Sequence, residues 1–513
     1  MLKPKIPKYA YFLLFFIFII AFLLRIWFIG RGGLSFAYDQ ARDAFVAQQI
    51  LNGDFKILGP SVSGVPGLYH GVLYYYVIAP FYLIGQGNPL FAAYGLSLIN
   101  SLGVFIIFYF TYLITRKIAP SLLTALIYAV SYEVIQYSTW LSNPSIALIF
   151  VPLFYIGLYK WLKDNSSIGA YLCGLSLGLS IQFNVSMAYH LAPLFFWLWI
   201  NKNNILRKQI IGFLISFAIS IFTMILVEFK FGFKGIFGLL YLLLSKDEVV
   251  ASTGLGDFIV IFFNQLGKVL SNNIFPLNAV WGGILGLLLM IYVIVFWDRS
   301  KKKIFSWQLF IISYILSFFI ASPFGGSGMP HITAGIAMGV IILAGIVVWT
   351  ILKKNIIWAL LITVLIISSN LSKEFAGRTK GQTLFAIQPD LVLSKELGTL
   401  DYIYEKSEGK KFSINTLTSP LYINTLWSYL FNWYGQEKYG YLPYWTGRDQ
   451  VGQLGNNLDG PPDDVDLHYF IIEPKEGIPE KYIIQAQEEE DSKSKLVEEV
   501  NFGEIIIQKR QTQ

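Results

Sequence analysis

The sequence predicts a polytopic α-helical membrane protein that carries a small α/β soluble domain at its C-terminal end. Hydrophobic residues make up 55% of the chain and charged residues only 14%, with a mean hydropathy of +0.55, which is too apolar for a soluble protein of 513 residues. After residue 371 the composition changes to alternating charged and apolar residues with Gly-Pro-rich loops. We therefore predict a membrane domain over 1–371 and a soluble domain over 372–513.

Apolar runs of roughly 20 residues, the length that crosses a bilayer, predict about eleven transmembrane helices. The predicted spans are 9–29, 89–115, 118–137, 144–162, 168–184, 187–200, 210–227, 279–297, 304–320, 332–352 and 356–369.

Basic residues predict the orientation of these spans, because Lys and Arg collect in cytoplasmic loops. Six basic clusters fall on one side: Lys3, Lys5 and Lys8; Arg116 and Lys117; Lys160 and Lys163; Lys202, Arg207 and Lys208; Arg299 and Lys301 to Lys303; Lys353 and Lys354. The N-terminus is thus predicted to be cytoplasmic and the C-terminal domain extracytoplasmic, in the plasma membrane. The net charge of +7 reflects this topology, and we expect no nucleic-acid partner.

The first outer loop, residues 30–88, contains Tyr38-Asp39-Gln40-Ala41-Arg42-Asp43-Ala44. Two carboxylates and an arginine at a membrane surface indicate a functional site. Apolar residues at helical spacing predict an interfacial helix over 39–51. A second, over 71–84, is too short to cross. A later outer loop, 228–278, has apolar stretches at 236–244 and 258–270 among lysines that include Lys246 and Lys268, a pattern typical of interfacial helices near lipid phosphates.

The C-terminal domain alternates strand-like and helix-like segments. Strands are predicted over 411–415, 467–472 and 503–508, and helices over 389–405, 421–434 and 479–490. This pattern predicts a small α/β domain without a known motif. The single Cys173 excludes an intrachain disulfide, and no His/Cys cluster has metal-ligand spacing, so no cofactor is predicted.

Several segments resemble the glycosyltransferase-C superfamily, above all the group of protein O-mannosyltransferases and lipid A aminoarabinose transferases. The resemblance rests on the Tyr38 to Ala44 motif, Tyr69-His70-Gly71 with Tyr74-Tyr75-Tyr76 and Ala79-Pro80, Gly85-Gln86-Gly87-Asn88-Pro89, Trp140-Leu141-Ser142-Asn143-Pro144, and Gly178 to Phe183. It covers roughly the first 200 residues by motif and the later spans by topology.

The resemblance implies an inverting transferase that moves a sugar from a polyprenyl-phosphate donor to a hydroxyl of a glycan, lipid or protein acceptor outside the cytoplasm. It assigns the catalytic role to Asp39, as a general base that removes the acceptor's proton. His70 matches a lysine position that meets the donor phosphate, and Arg42 and Lys268 are further candidates for binding it. Candidates for the substrate cavity are Asp43, Tyr69, Tyr74, Asn143 and His331.

This chain departs from the family's pattern at two positions. Relatives often have Asp-Glu where it has Asp39-Gln40, and an aspartate where it has Asn143. The loss of carboxylates argues against an essential metal ion, although Asp39 with Asp43 leaves weak binding of a divalent cation open.

Most of these residues also have a structural interpretation. Asp39 is suited to cap the N-terminus of its helix, and Asp43 to pair with Arg31 or Arg42. The three consecutive tyrosines that begin at Tyr74 are typical of an aromatic belt at the bilayer surface, and the lysines of loop 228–278 of a solvated loop. At the level of function, the rivals are a transporter or flippase for a lipid-linked substrate and a non-catalytic membrane binding protein. The near absence of charge from the spans favours the enzyme, since Arg25 and Glu133 lie close to outer span ends.

Overall fold

A computed structural model describes residues 6–62, 67–244, 255–295, 305–325 and 330–512. The predicted basic cluster of Arg299 and Lys301 to Lys303, with Lys3, Lys5 and Lys246, lies outside these residues. The helices are α1 (Lys8–Gly30), α2 (Tyr38–Leu51), α3 (Leu73–Ile84), α4 (Pro89–Ser101), α5 (Gly103–Thr115), α6 (Ile118–Val130), α7 (Tyr132–Thr139), α8 (Ala147–Asp164), α9 (Ser167–Phe183), α10 (Leu191–Ile200), α11 (Arg207–Ser220), α12 (Phe222–Lys230), α13 (Lys234–Leu244), α14 (Leu255–Ile274), α15 (Ala279–Val295), α16 (Trp307–Ile315), α17 (Ala337–Leu352), α18 (Ile356–Gly377), α19 (Leu393–Ser407), α20 (Thr425–Leu430), α21 (Gln436–Tyr439) and α22 (Glu480–Asp491).

Each predicted span coincides with an apolar helix or a bent pair of helices. Four are long and apolar enough to cross a membrane alone: Lys8–Gly30, Pro89–Thr115, Asn143–Asp164 and Ile356–Gly377. Three bent pairs, α6 with α7, α11 with α12 and α14 with α15, change direction by 57°, 63° and 90°. Four of the shorter apolar helices fall on the remaining predicted spans, and the fifth is the predicted interfacial helix α3. The architecture is that of a polytopic α-helical membrane protein.

The two predicted helices of the first outer loop form at the expected positions. Helix α2 begins after Ala37, whose backbone N–H donates to Gln40 Oε1 (3.1 Å), so Gln40 caps the helix. Ala41, Ala44 and Ala47 are completely buried, and α2 packs closely on α3. Small side chains along this face let the two helices approach. The opposite, partly exposed face carries Asp39.

The C-terminal domain is built on a mixed five-stranded sheet. Its strands are β1 (Ser413–Leu417), β2 (Tyr444–Trp445), β3 (Leu467–Ile472), β4 (Ser494–Phe502) and β5 (Ile505–Thr512), in the order β2-β1-β3-β5-β4. Strand β1 runs parallel to β2 and β3, and β5 runs antiparallel to β3 and β4. The predicted strands correspond to β1, β3 and β5, and the predicted helices to α19, α20 and α22. Strands β2 and β4 were not predicted, because β2 has two residues and β4 is a mostly exposed, charged edge strand.

The C-terminal domain rests on the first outer loop. The Tyr429 hydroxyl donates to Gly87 O (2.6 Å), and its ring meets Phe45 of α2 edge-on at 5.1 Å. Ser35 and Val392 form an isolated antiparallel bridge that joins the segment before α2 to the segment before α19. Helix α18 continues to Gly377, past the predicted domain boundary at 371. The domain is therefore packed against the loop that carries Asp39.

Candidate active site

Asp39, Arg42 and Asp43 form a hydrogen-bonded group in the first turns of α2. Arg42 Nη1 donates to Asp39 Oδ1 at 2.6 Å, while its Nε and Nη2 donate to Asp43 Oδ1 at 2.9 and 2.7 Å. The Asp39 side chain is 63% exposed, whereas that of Asp43 is 3% exposed. Asp39 lies one turn before Arg42, so helical spacing alone brings them together. The accessible Asp39 carboxylate therefore lies beside the Arg42 guanidinium, which the buried Asp43 holds in place.

Asp43 is the anchor of this group. Burial raises the pKa of its carboxyl to about 7, although Arg42 and a hydrogen bond from Tyr75 act in the opposite direction. The pairing with Arg42 is one of the two that the sequence suggested. Asp39 does not cap the helix. Ala37 occupies the N-cap position, and the Gln40 side chain accepts the hydrogen bond from the Ala37 N–H. The helix-cap interpretation of Asp39 is therefore wrong.

His70 is held in a defined tautomer by the backbone. Its Nδ1 accepts a hydrogen bond from the Val185 N–H (3.1 Å), so the proton of the neutral ring is on Nε2. Burial, with smaller contributions from His331 and Arg42, lowers the pKa of His70 to about 3. The proteins that the sequence resembles have a lysine at the position of His70, whereas the His70 imidazole is neutral. It offers an N–H donor rather than a charge.

The end of α9 and the turn that follows it, Gln182 to Val185, hold the loop of His70 in place. Gly71 N–H donates to Gln182 O (2.7 Å), and a Cβ on Gly71 would lie 2.7 Å from the same backbone carbonyl oxygen. A Cβ on Gly59 would lie 2.4 Å from the carbonyl oxygens of His70 and Gly71. Only glycine fits at these two positions, because backbone passes against backbone on both sides.

The same turn contacts two more candidate residues. The side-chain amide of Asn143, which is buried, donates to Phe183 O. Asn184 Nδ2 donates to His331 O (3.2 Å). Burial lowers the pKa of His331, and Asp39 partly offsets this by raising it, which places the imidazole within electrostatic reach of the carboxylate. The turn from Gln182 to Val185 therefore joins His70, Asn143 and His331.

The remaining candidates lie in different surroundings. Tyr69 is half-buried and pairs through its backbone with Ser61. Tyr74 is completely buried, so its ring has no face open to a sugar and does not belong to a surface belt. Lys268 is exposed on α14, a helix that packs on α15, α17 and α18 rather than on α2. The structure does not join Tyr74 or Lys268 to the exposed face of the Asp39 group.

Three features of the site were not predicted. The turn at Asn184 and Val185 follows the family-like segment but was not singled out, and Tyr75 was not separated from its neighbouring tyrosines. Glu374 was placed outside the last span, yet it is buried in α18, where it accepts a hydrogen bond from Gln136 (3.4 Å). A polar residue at the end of an apolar run was the available signal. Among the residues that the structure describes, no three His, Cys, Asp or Glu side chains come together as a metal-binding group.

Comparisons with known proteins place this arrangement in a known fold. No protein-family model and no curated protein sequence matches the chain. Two crystal structures of ArnT from Cupriavidus metallidurans are similar, one bound to undecaprenyl phosphate and one in the apo state, with TM-scores of 0.58 and 0.56. Each is 10% identical, and each alignment covers 96% of this chain and 97% of that chain. The chain therefore has the fold of ArnT, which agrees with its sequence resemblance to the lipid A aminoarabinose transferase group.

Proposed function

We propose that this protein is an integral membrane glycosyltransferase that moves a sugar from a polyprenyl-phosphate donor to an acceptor hydroxyl on the extracytoplasmic side. The observation that carries the proposal is the accessible Asp39 carboxylate, held beside the anchored Arg42 in a fold shared with ArnT. That ArnT was crystallised with undecaprenyl phosphate supports a donor of this lipid class.

In the proposed reaction Asp39 is the general base. The acceptor hydroxyl gives its proton to the Asp39 carboxylate while its oxygen bonds to the anomeric carbon of the sugar. The bond from that carbon to the phosphate oxygen breaks, and its electron pair leaves with the lipid phosphate. Attack and departure on opposite faces invert the anomeric configuration.

Arg42 and His70 are proposed to receive the leaving phosphate. The guanidinium of Arg42 already contacts two carboxylates, and a phosphate is the kind of anion that competes for its outer N–H groups. His70 contributes the Nε2–H that its contact with Val185 fixes. When the phosphate replaces Asp39 as the partner of Arg42, the Asp39 carboxylate becomes free to act as a base.

The proposed chemistry assigns no role to a metal. Arg42 lies between Asp39 and Asp43, so its guanidinium already occupies the position that a divalent cation bound by both carboxylates would take. Arg42 supplies the positive charge that stabilises the departing phosphate.

The experiment is a transfer assay in proteoliposomes. Purified protein is supplied with a panel of undecaprenyl-phosphate sugars and with membrane lipids, glycans and proteins as acceptors. We expect free undecaprenyl phosphate to appear together with a glycosylated product for one donor. Movement of an intact lipid-linked sugar across the bilayer without release of undecaprenyl phosphate would instead establish the flippase alternative.

A further inference from the structure

The connector between the membrane helices and the C-terminal domain, residues 378–392, contains a completely buried glutamine. Gln382 lies between the segment that precedes α2 and the end of α7. The connector follows α18 and leads into α19, so it is the covalent link between the two domains.

Gln382 makes hydrogen bonds in two directions. Toward the first outer loop, its backbone N–H donates to Ser35 Oγ (2.9 Å), its Oε1 accepts from the Ser35 N–H (2.8 Å), and its Nε2 donates to Gly33 O (2.9 Å). Toward α7, the same Nε2 donates to Thr139 Oγ1 (3.0 Å). A single side-chain amide therefore bridges the two segments.

The close approach is built into the connector's backbone. Gly381 has a φ of +74°, and a Cβ there would lie 2.1 Å from Ser35 Oγ. Next along the chain, Phe385 stacks on Trp140 with ring centroids 4.1 Å apart and an interplanar angle of 8°. Thr383 Oγ1 lies 3.0 Å from the Tyr132 hydroxyl. The connector is thus fixed to α7 and to the residue after it by Gln382 and by two residues that follow Gln382.

Both segments that Gln382 joins lead directly into the candidate active site. Ser35 lies one short stretch before Asp39, and Thr139 the same distance before Asn143. The two segments meet again at Gln40, whose Nε2 donates to Leu141 O (3.1 Å). The position of Asp39 relative to Asn143 therefore depends on the contacts of two glutamines, Gln40 and Gln382, of which Gln382 belongs to the connector.

We propose that Gln382 is a positioning residue for the transfer reaction. It sets the position of Asp39 relative to Asn143 and so couples the C-terminal domain to catalysis. The proposal rests on the proposed glycosyltransferase function. Because a displacement of the base by an ångström is costly, loss of this bridge should slow the chemical step. It should leave donor binding nearly unchanged, since Arg42 and His70 keep their own anchors at Asp43 and Val185.

The test compares Gln382→Met with Gln388→Met. Gln388 is a buried glutamine of the same connector, but its side chain donates to Pro474 O inside the C-terminal domain. We expect Gln382→Met to lower kcat on the order of tenfold to a hundredfold, with the KM for the lipid donor within about threefold of wild type. Gln388→Met should keep the wild-type kcat. Equal kcat values per folded molecule in the two variants would overturn the proposal.

A milder variant and a second measurement cover the case in which Gln382→Met does not fold. Thr139→Val removes one of the contacts and should lower kcat in the same direction by a smaller factor. Hydrogen exchange over residues 33–42 and 139–146 should accelerate in Thr139→Val and Gln382→Met but not in Gln388→Met. Unchanged exchange in both segments overturns the positioning role. If the wild type transfers no sugar, the proposed function fails, and the exchange result alone decides whether the bridge exists.

Discussion

Two regions of this protein contain hydrogen-bonded chains of acidic and basic side chains. In the outer loop, Arg42 joins Asp39 to Asp43. In the C-terminal domain, Ser413 Oγ lies 2.9 Å from His468 Nδ1, and His468 Nε2 lies 2.8 Å from Glu490 Oε2. The second chain has the composition of a hydrolytic triad, whereas the first has no serine or histidine in direct contact.

Access distinguishes the two regions. Ser413, His468 and Glu490 are all nearly completely buried, and Ser413 and His468 are neighbours across parallel strands β1 and β3. No acceptor can reach the serine, so the chain satisfies polar groups inside a sheet domain. The Asp39 carboxylate, in contrast, lies at the exposed end of its chain. Composition alone would have favoured the buried group of Ser413, His468 and Glu490.

The largest expected effect separates the regions by activity. Asp39→Asn should lower the rate of sugar transfer on the order of a hundredfold to ten-thousandfold, because an amide cannot accept the acceptor's proton. Ser413→Ala should stay within about threefold of wild type per folded molecule, since Ser413 is predicted to have no chemical role. Both are measured by initial rates in proteoliposomes. Wild-type transfer by Asp39→Asn would remove it from the mechanism.

Stability should show the opposite order. His468→Ala leaves the buried Glu490 carboxylate without the imidazole and should cost on the order of 3 kcal/mol in the free energy of unfolding. Asp39→Asn should change the stability by at most about 1 kcal/mol, because the Asp39 carboxylate is exposed. Thermal unfolding in detergent measures both. A larger loss for Asp39→Asn than for His468→Ala would reverse the assignment of the two regions.

A smaller effect is expected at His70. His70→Ala should raise the KM for the lipid donor by about tenfold, the equivalent of one hydrogen bond to a charged group. His70→Gln should retain more affinity than His70→Lys, because glutamine supplies a neutral N–H donor in a place where burial disfavours a cation. Donor titrations at fixed acceptor provide the KM. A higher affinity in His70→Lys would show that charge, not the N–H, is recognised.

The smallest effect concerns pH. The pKa of His70 is about 3 in the folded protein, below that of an unfolded histidine, so the unfolded state binds more protons between about pH 3 and 6.5. The contribution of His70 to stability is therefore complete above about pH 6.5 and decreases as the pH falls. His70→Gln should lose less thermal stability than wild type between pH 7 and pH 5. Parallel pH profiles for the two proteins would contradict a buried neutral imidazole.

The sequence was sufficient for those features that depend on neighbouring residues. Apolar run length identified the apolar helices, and the adjacent positions of Arg42 and Asp43 suggested an ion pair that the structure contains. The bridge at Gln382 was not predictable in this way, because Ser35 and Thr139 are distant from it in sequence and the contact exists only after folding. Val185 fixes His70 for the same reason. The burial of Tyr74 could not be predicted from the sequence either, because a run of aromatic residues has the same pattern at a membrane interface and in a protein core.

The anomeric configuration of the product tests the central claim most directly. If Asp39 acts as a general base in a single displacement, the product formed from a donor of known configuration must have the opposite configuration at the anomeric carbon, as determined by nuclear magnetic resonance. We predict inversion by the wild type, and in Asp39→Asn a rate of product formation that is lower by the factor given above. Retention would require a covalent sugar–enzyme intermediate and would contradict the role assigned to Asp39.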